Sequence, residues 1–155
     1  MAWTINNGKL YFNTKLYTGN GGTQSITGVG FQPDWIWVKC RSHAENHMLT
    51  DVVRGVTKNL RSNQTNAEET SSNNITAFNS DGFSLGDGGG VNENSRTFAS
   101  WNWKAGTSFT NDASSTGIGT IDSTGSVNDT SGFSIISYTG NATTNAKVAH
   151  GLGVA

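Results

Sequence analysis

His43-Ala44-Glu45-Asn46-His47 sets two histidines four positions apart with a carboxylate between them. On a helix the two imidazoles would share one face and could hold a metal ion. The glutamate does not stand where the H-E-x-x-H pattern needs it. The run is polar and lies between extended stretches, so it reads as a loop and no metal is expected. Asp81-Gly82 and Asp87-Gly88-Gly89-Gly90 offer oxygen ligands of the kind calcium takes. The D-x-[DN]-x-[DN]-G spacing is absent, and glycine for tight backbone is the simpler account. Glu68 and Glu69 are adjacent, so their side chains diverge in either regular structure. Sugar hydrolysis needs two carboxylates about 5–10 Å apart across a cleft. Neither a G-x-S-x-G elbow, a Ser/His/Asp grouping nor a phosphate-binding G-x-x-x-x-G-K-[ST] loop is present. No catalytic residue and no cofactor is assigned, and an enzyme is not expected.

Aromatic side chains are the other chemistry-bearing group. Indole and phenol rings stack on sugar faces when exposed and fill cores when buried. Trp35, Trp37, Trp101 and Trp103 fall in stretches that read as central strands, so they are expected to be core scaffold. Tyr17 and Tyr138 flank loops and are the candidates for ligand-facing aromatics. Cys40, the single cysteine, excludes an internal disulfide and alternates with Ile36 and Val38, which reads as a small core side chain. Arg54 and Arg61 flank a turn and read as solvated or structural charges.

These residues must be positioned by strands. Asp34 to Arg41, DWIWVKCR, follows Gly28, Gly30 and Pro33 and is rich in β-branched and aromatic residues. Ile36, Val38 and Cys40 point one way; Trp35, Trp37, Lys39 and Arg41 point the other. Thr97 to Lys104 is a second Trp-x-Trp strand, expected to be its core partner. Asn6-Asn7-Gly8 and Asp81-Gly82 are hairpin signals, the first joining Trp3–Ile5 to Lys9–Tyr17, the second joining Ile75–Phe78 to Phe83–Leu85. Val56–Leu60 fits a strand or a helical turn, and Ser62–Asn74 an exposed loop with one helical turn at Ala67–Glu69. Turn signals recur about every ten residues, which points to an all-β antiparallel sandwich, jelly-roll or lectin-like. Only 34% of the 155 residues are hydrophobic and 14% charged, yet five Trp, seven Phe and three Tyr argue against disorder. A net charge of −1 gives no reason to expect nucleic acid. No signal peptide and no stretch apolar enough for membrane insertion is recognised.

Residues 12–20, FNTKLYTGN, recur as FSIISYTGN at 133–141, and ITGVG at 26–30 has a loose counterpart in VAHGLG at 148–153. The expected organisation is a possible attachment segment at 1–11, a sandwich at 12–106, a linker at 107–119 and the start of a second, truncated repeat at 120–155.

The segments YTGNG (17–21), GFQPDWIWVKCRS (30–42), DVVRGVTKNLRSN (51–63), FNSDGFSLG (78–86), VN (91–92) and WNWKAG (101–106) resemble a domain of uncharacterised function. That domain is found, often in tandem, in large virion proteins of marine bacteriophages. The resemblance implies a non-enzymatic structural protein of the virion, tail-fibre-like or on the capsid surface, made in the host bacterial cytoplasm. Its implied partners are other virion proteins and further copies of itself. An adhesion module binding a host-surface glycan or protein is the alternative, and a polysaccharide-degrading enzyme drawing on Glu68 or Glu69 the remote one.

Overall fold

A computed structural model describes residues 7–153. The chain divides into two compact units, one of residues 7–104 and one that includes residues 105–153. Every strand pair is antiparallel among the described residues.

The first unit holds strands β1 (Phe12–Thr18), β2 (Gln24–Thr27), β3 (Trp35–Cys40), β4 (Met48–Asp51), β5 (Lys58–Arg61), β6 (Glu69–Thr70), β7 (Ile75–Asn79) and β8 (Gly82–Leu85). A one-turn helix, α1 (Gly89–Asn92), and β9 (Thr97–Trp103) complete it. One sheet runs β1-β9-β3-β4-β5-β6 and the other β2-β8-β7. The expected sandwich is therefore present, and period-two alternation builds it. Ile36, Val38 and Cys40 of β3, Met48 of β4 and Phe98 of β9 turn inward from the larger sheet. Ile26, Ile75, Phe83 and Leu85 meet them from the smaller sheet, and Val91 of α1 closes the corner. Cys40 is a buried core side chain, as expected.

The turns follow their residue chemistry. Asn79 and Gly82 close the β7–β8 hairpin, and Gly82 has a φ of 146°. A Cβ there would lie 1.9 Å from the Ile26 carbonyl oxygen, so only glycine lets β2 approach. Asp81 in this turn accepts the Gly30 and Gly28 N–H groups at 2.6 and 2.9 Å. Those bonds, Gly30 first, hold its carboxyl below the usual carboxylate range.

Around α1, Asn92 is fully buried. Its amide nitrogen donates to Asn20 Oδ1, Gly22 O and Gly86 O, and its Oδ1 accepts the Asn20 N–H. One side chain thus pins the loop after β1 to the segment after β8. Gly19 is the close-approach point: a Cβ would sit 2.2 Å from the Glu93 carbonyl oxygen.

The second unit contains β10 (Thr107–Asn111), the one-turn helix α2 (Ala113–Thr116), β11 (Ser123–Asn128) and β12 (Phe133–Tyr138), ordered β10-β11-β12. Phe109 lies so close over Gly125 and Gly151 that a Cβ at either would come within 2.6 Å of its ring. Asp112 caps α2 through Ser114 and Ser115, and the Ser114 hydroxyl, the larger cause, lowers its carboxyl pKa.

Several local expectations are corrected. The polar stretch 107–119, read as a linker, carries β10 and α2, because Thr and Ser on β10 pair with β11 over five residues. Ala67–Glu69 makes no helical turn; Glu69 pairs with Asn59 of β5. Within Val56–Leu60 the strand β5 begins at Lys58, and Val56 and Thr57 form a turn before it. The glycine-rich stretch 86–90 contains the start of α1. The Trp3–Ile5 half of the first hairpin lies outside the described residues, and Gly8–Leu10 forms a 3-10 turn rather than strand.

Three outcomes follow. Phe83→Ala should cost about 3–5 kcal/mol in denaturant unfolding of the first unit, as expected for truncating a fully buried aromatic. Asn92→Ala should cost about 2–4 kcal/mol, since several buried backbone and amide groups lose their partner together. Asp81 has a lowered pKa in the folded state, so its contribution is present above the ordinary carboxylate pKa and is lost as the pH falls from there through the lowered folded-state value. Melting temperature measured down that range should drop less steeply in Asp81→Asn than in the parent.

Candidate functional site

The outer face of the six-stranded sheet is the chemically distinctive surface of the first unit. Register places the side chains in rows across the strands. Phe12, Trp103, Trp35 and Asp51 form one row, and Thr14, Trp101, Trp37, Leu49 and Leu60 the next. Leu16, Ala99 and Lys39 form a third.

Ring centroids along these rows lie close: Phe12–Trp103 at 4.8 Å, Trp35–Trp103 at 4.5 Å and Trp37–Trp101 at 5.4 Å. Interplanar angles of 46° to 53° make every one of these pairs tilted. Such pairs contribute roughly 0.5–1.5 kcal/mol each beyond area burial. The expectation of these four tryptophans as inter-sheet core is corrected. All four are half-buried on the face opposite Ile36, Val38 and Cys40. The reason is parity: β3 and β9 are neighbours in one sheet, so indoles opposite each other share its outer face.

Apolar side chains continue past the indoles. Leu16 is 62% exposed, Phe12 39% and Leu60 36%. Beyond Leu60 the surface turns ionic. Arg54 pairs with Asp51 at 2.6 Å and Glu68 at 3.2 Å, and Lys58 with Glu68 at 3.8 Å. Elsewhere Arg61, which lies opposite Met48 and so on the other face of β5 from Leu60, pairs with Glu69, and Arg96 pairs with Glu45. Glu68 and Glu69 are thus both engaged by cations, and Arg54 and Arg61 serve as structural charges.

The remaining candidates separate. Tyr17 is corrected: it is no loop-flanking ligand residue. Its ring stacks on Phe98 at 5.3 Å and its hydroxyl donates to the Val91 carbonyl at 2.8 Å. Burial, with Cys40 as a lesser cause, pushes its phenol above the ordinary range, so it remains a donor. Tyr138 is 56% exposed at the end of β12. It borders an open depression with Thr110, Asn111, Asp112, Asp122 and Thr124. His43 meets the Ser42 hydroxyl at 3.0 Å, and His47 packs 6.2 Å from Trp37. Among the described residues no three His, Cys, Asp or Glu side chains gather as a metal site. Gly88 serves packing, since a Cβ there would lie 2.2 Å from Asn74 Oδ1.

Sequence reasoning named Val-Asn at 91–92 only as part of the resemblance and assigned Asn92 no role, since a lone dipeptide does not announce one. It also missed the apolar face, although the alternation of Phe12, Thr14 and Leu16 with Asn13, Lys15 and Tyr17 already carried it.

The arrangement can bury apolar surface against a partner or stack on flat rings. One atom tests its packing. Trp37 Nε1 is buried and finds no acceptor among the described residues. Trp37→Phe removes an unsatisfied donor while keeping a ring, so the melting temperature should hold or rise slightly, whereas Trp37→Ala should lower it through about 3–5 kcal/mol of lost packing.

No curated protein and no solved structure matches the chain. Residues 7–155 match the family described as Domain of unknown function (DUF7483). With nearly its whole length matched, the chain belongs to that family.

Proposed function

We propose that the chain is a non-enzymatic structural module of a bacteriophage particle, tail-fibre-like or on the capsid surface, that works through protein–protein contacts. The observation that supports this most directly is the apolar outer face of the six-stranded sheet. Leu16, Phe12 and Leu60 stand exposed beside four half-buried indoles. Exposed aromatic and aliphatic side chains clustered on one sheet face mark interaction surfaces. Aromatics are also the side chains that most often anchor protein interfaces. The Arg54–Asp51, Arg54–Glu68 and Lys58–Glu68 pairs beside Leu60 supply the polar rim such a surface has. The phage setting rests on the sequence resemblance.

The partner in this reading is another copy of the chain or another particle protein. Light scattering coupled to size exclusion should find an oligomer whose population falls with dilution. Leu16→Glu should shift it to monomer while leaving the circular dichroism unchanged, because Leu16 makes no part of the core cluster. A protein that stays monomeric at all concentrations, and that binds glycans in a way abolished by Tyr138→Ala, would replace this reading with an adhesion module.

A further inference from the structure

We infer that β1 is a dimer edge: β1 of one copy pairs antiparallel with β1 of a second copy about a twofold axis at Thr14. The inference rests on the self-association proposed above and names the strand and the register through which it occurs.

β1 ends the six-stranded sheet, with β9 on one side and no strand on the other among the described residues. The Lys104 N–H donates to the Tyr11 carbonyl at 2.8 Å, and the Gly19 N–H to the Arg96 carbonyl at 2.8 Å. Both pairs continue the β1–β9 register by one residue. Bonded pairs in an antiparallel ladder recur at every second residue, so the odd-numbered residues of β1 turn their main-chain groups to β9. Phe12, Thr14 and Leu16 turn theirs to the open side. The Thr14 N–H donates to Asn13 Oδ1 at 2.9 Å, a local bond that an opposing carbonyl replaces. The Thr18 carbonyl accepts Gln24 Nε2 at 3.2 Å, which closes the edge at that end.

Sheets guard such edges with charge, proline or short strands. The far edge is guarded, since β6 consists of Glu69 and Thr70. β1 is seven residues long and has no proline. Its one charge, the Lys15 ammonium, donates to the Gly28 carbonyl at 3.3 Å. Phe12, Thr14 and Leu16 are all exposed. An unguarded edge takes up an added strand through main-chain hydrogen bonds.

The strand that fits is the same strand reversed. A twofold interface sets one surface against itself, so residues before the axis meet residues after it. With Thr14 on the axis, Phe12 lies beside Leu16 of the second copy, and Leu16 beside its Phe12. Each copy's exposed apolar pair is then covered by the other's. These are also the residues whose main-chain groups face outward, so each pair exchanges both hydrogen bonds. Asn13 falls beside Lys15 of the second copy. An axis at Lys15 would set two ammonium groups opposite each other, which is destabilising. An axis at Asn13 would run Leu16 against Leu10, which lies in the 3-10 turn and not in the strand. Charge and apolar match therefore select one register.

The test is disulfide trapping of the full chain carrying Thr14→Cys, oxidised at a concentration where light scattering finds the oligomer. Cys40 is buried and does not compete. Opposed residues of a bonded pair stand about 5.5 Å apart at Cα, within the span of a disulfide. A covalent dimer is expected. Thr18→Cys stands four residues from the axis, roughly 27 Å from its counterpart at about 3.4 Å per residue, and should give none. Thr14→Pro removes an N–H that β9 does not use, so the circular dichroism should hold while the dimer is lost. Trapping reads the same edge without a proline should that variant not fold. An oligomer that Leu16→Glu dissolves, but that traps no better through Thr14→Cys than through Thr18→Cys, overturns the edge pairing and leaves the proposed function standing. A chain that is monomeric at every concentration overturns both.

Discussion

The register between β3 and β9 is the constraint on which the first unit depends. It sets Ile36 opposite Asn102 and Val38 opposite Ser100 on one face, and Trp35 opposite Trp103 and Trp37 opposite Trp101 on the other. A slip of one residue would send the aliphatic set to the outside and the indoles against the smaller sheet. The interior could not accept them: Phe83, Phe98, Ile36 and Leu85 already fill it with almost no exposed surface. Burial of the aliphatic face and stacking on the aromatic face therefore favour the same register, and two forces of different kind specify one alignment.

A second constraint explains how so polar a chain stays ordered. Its asparagine, glycine and aspartate residues are spent on fixing turns rather than on hydration alone. Asn92 joins loops more than sixty residues apart, with Asn20 on one side and Gly86 on the other. Asp51 accepts the Val53 and Arg54 N–H groups and the Arg54 side chain, closing the turn after β4. Buried polar groups are tolerated where each is partnered, and these side chains offer the backbone local alternatives to a ladder. Glycine enters where two backbones meet, as at Gly19 and Gly82.

The strands and their alternation were legible from residue type. The Asp-Gly hairpin, the two Trp-x-Trp strands and the shared face of Ile36, Val38 and Cys40 stand where turn chemistry and period two put them. Which of the two alternating sets faced the smaller sheet was not legible, because both are apolar and periodicity cannot rank them. Size suggested the indoles; sheet neighbourhood decided otherwise, since β3 and β9 pair edge to edge instead of facing across the sandwich. Tyr17 was misplaced for a related reason. Its loop looks exposed in one dimension, but α1 folds back from residues 91–92 to cover it, and contacts across seventy positions leave no local mark. The linker reading of 107–119 failed because Thr and Ser serve strand and loop alike until a partner strand is known.

The two units stand in different relation to their own apolar surface. The first closes its inner face with a second sheet and leaves an aromatic face half-buried. Among the described residues the second holds one three-stranded sheet, in which Ile135 and Ile136, on opposite faces of β12, are both half-buried. A small sheet needs cover on at least one face to be stable by itself, and Phe109 over Gly125 and Gly151 supplies cover of that kind within the unit.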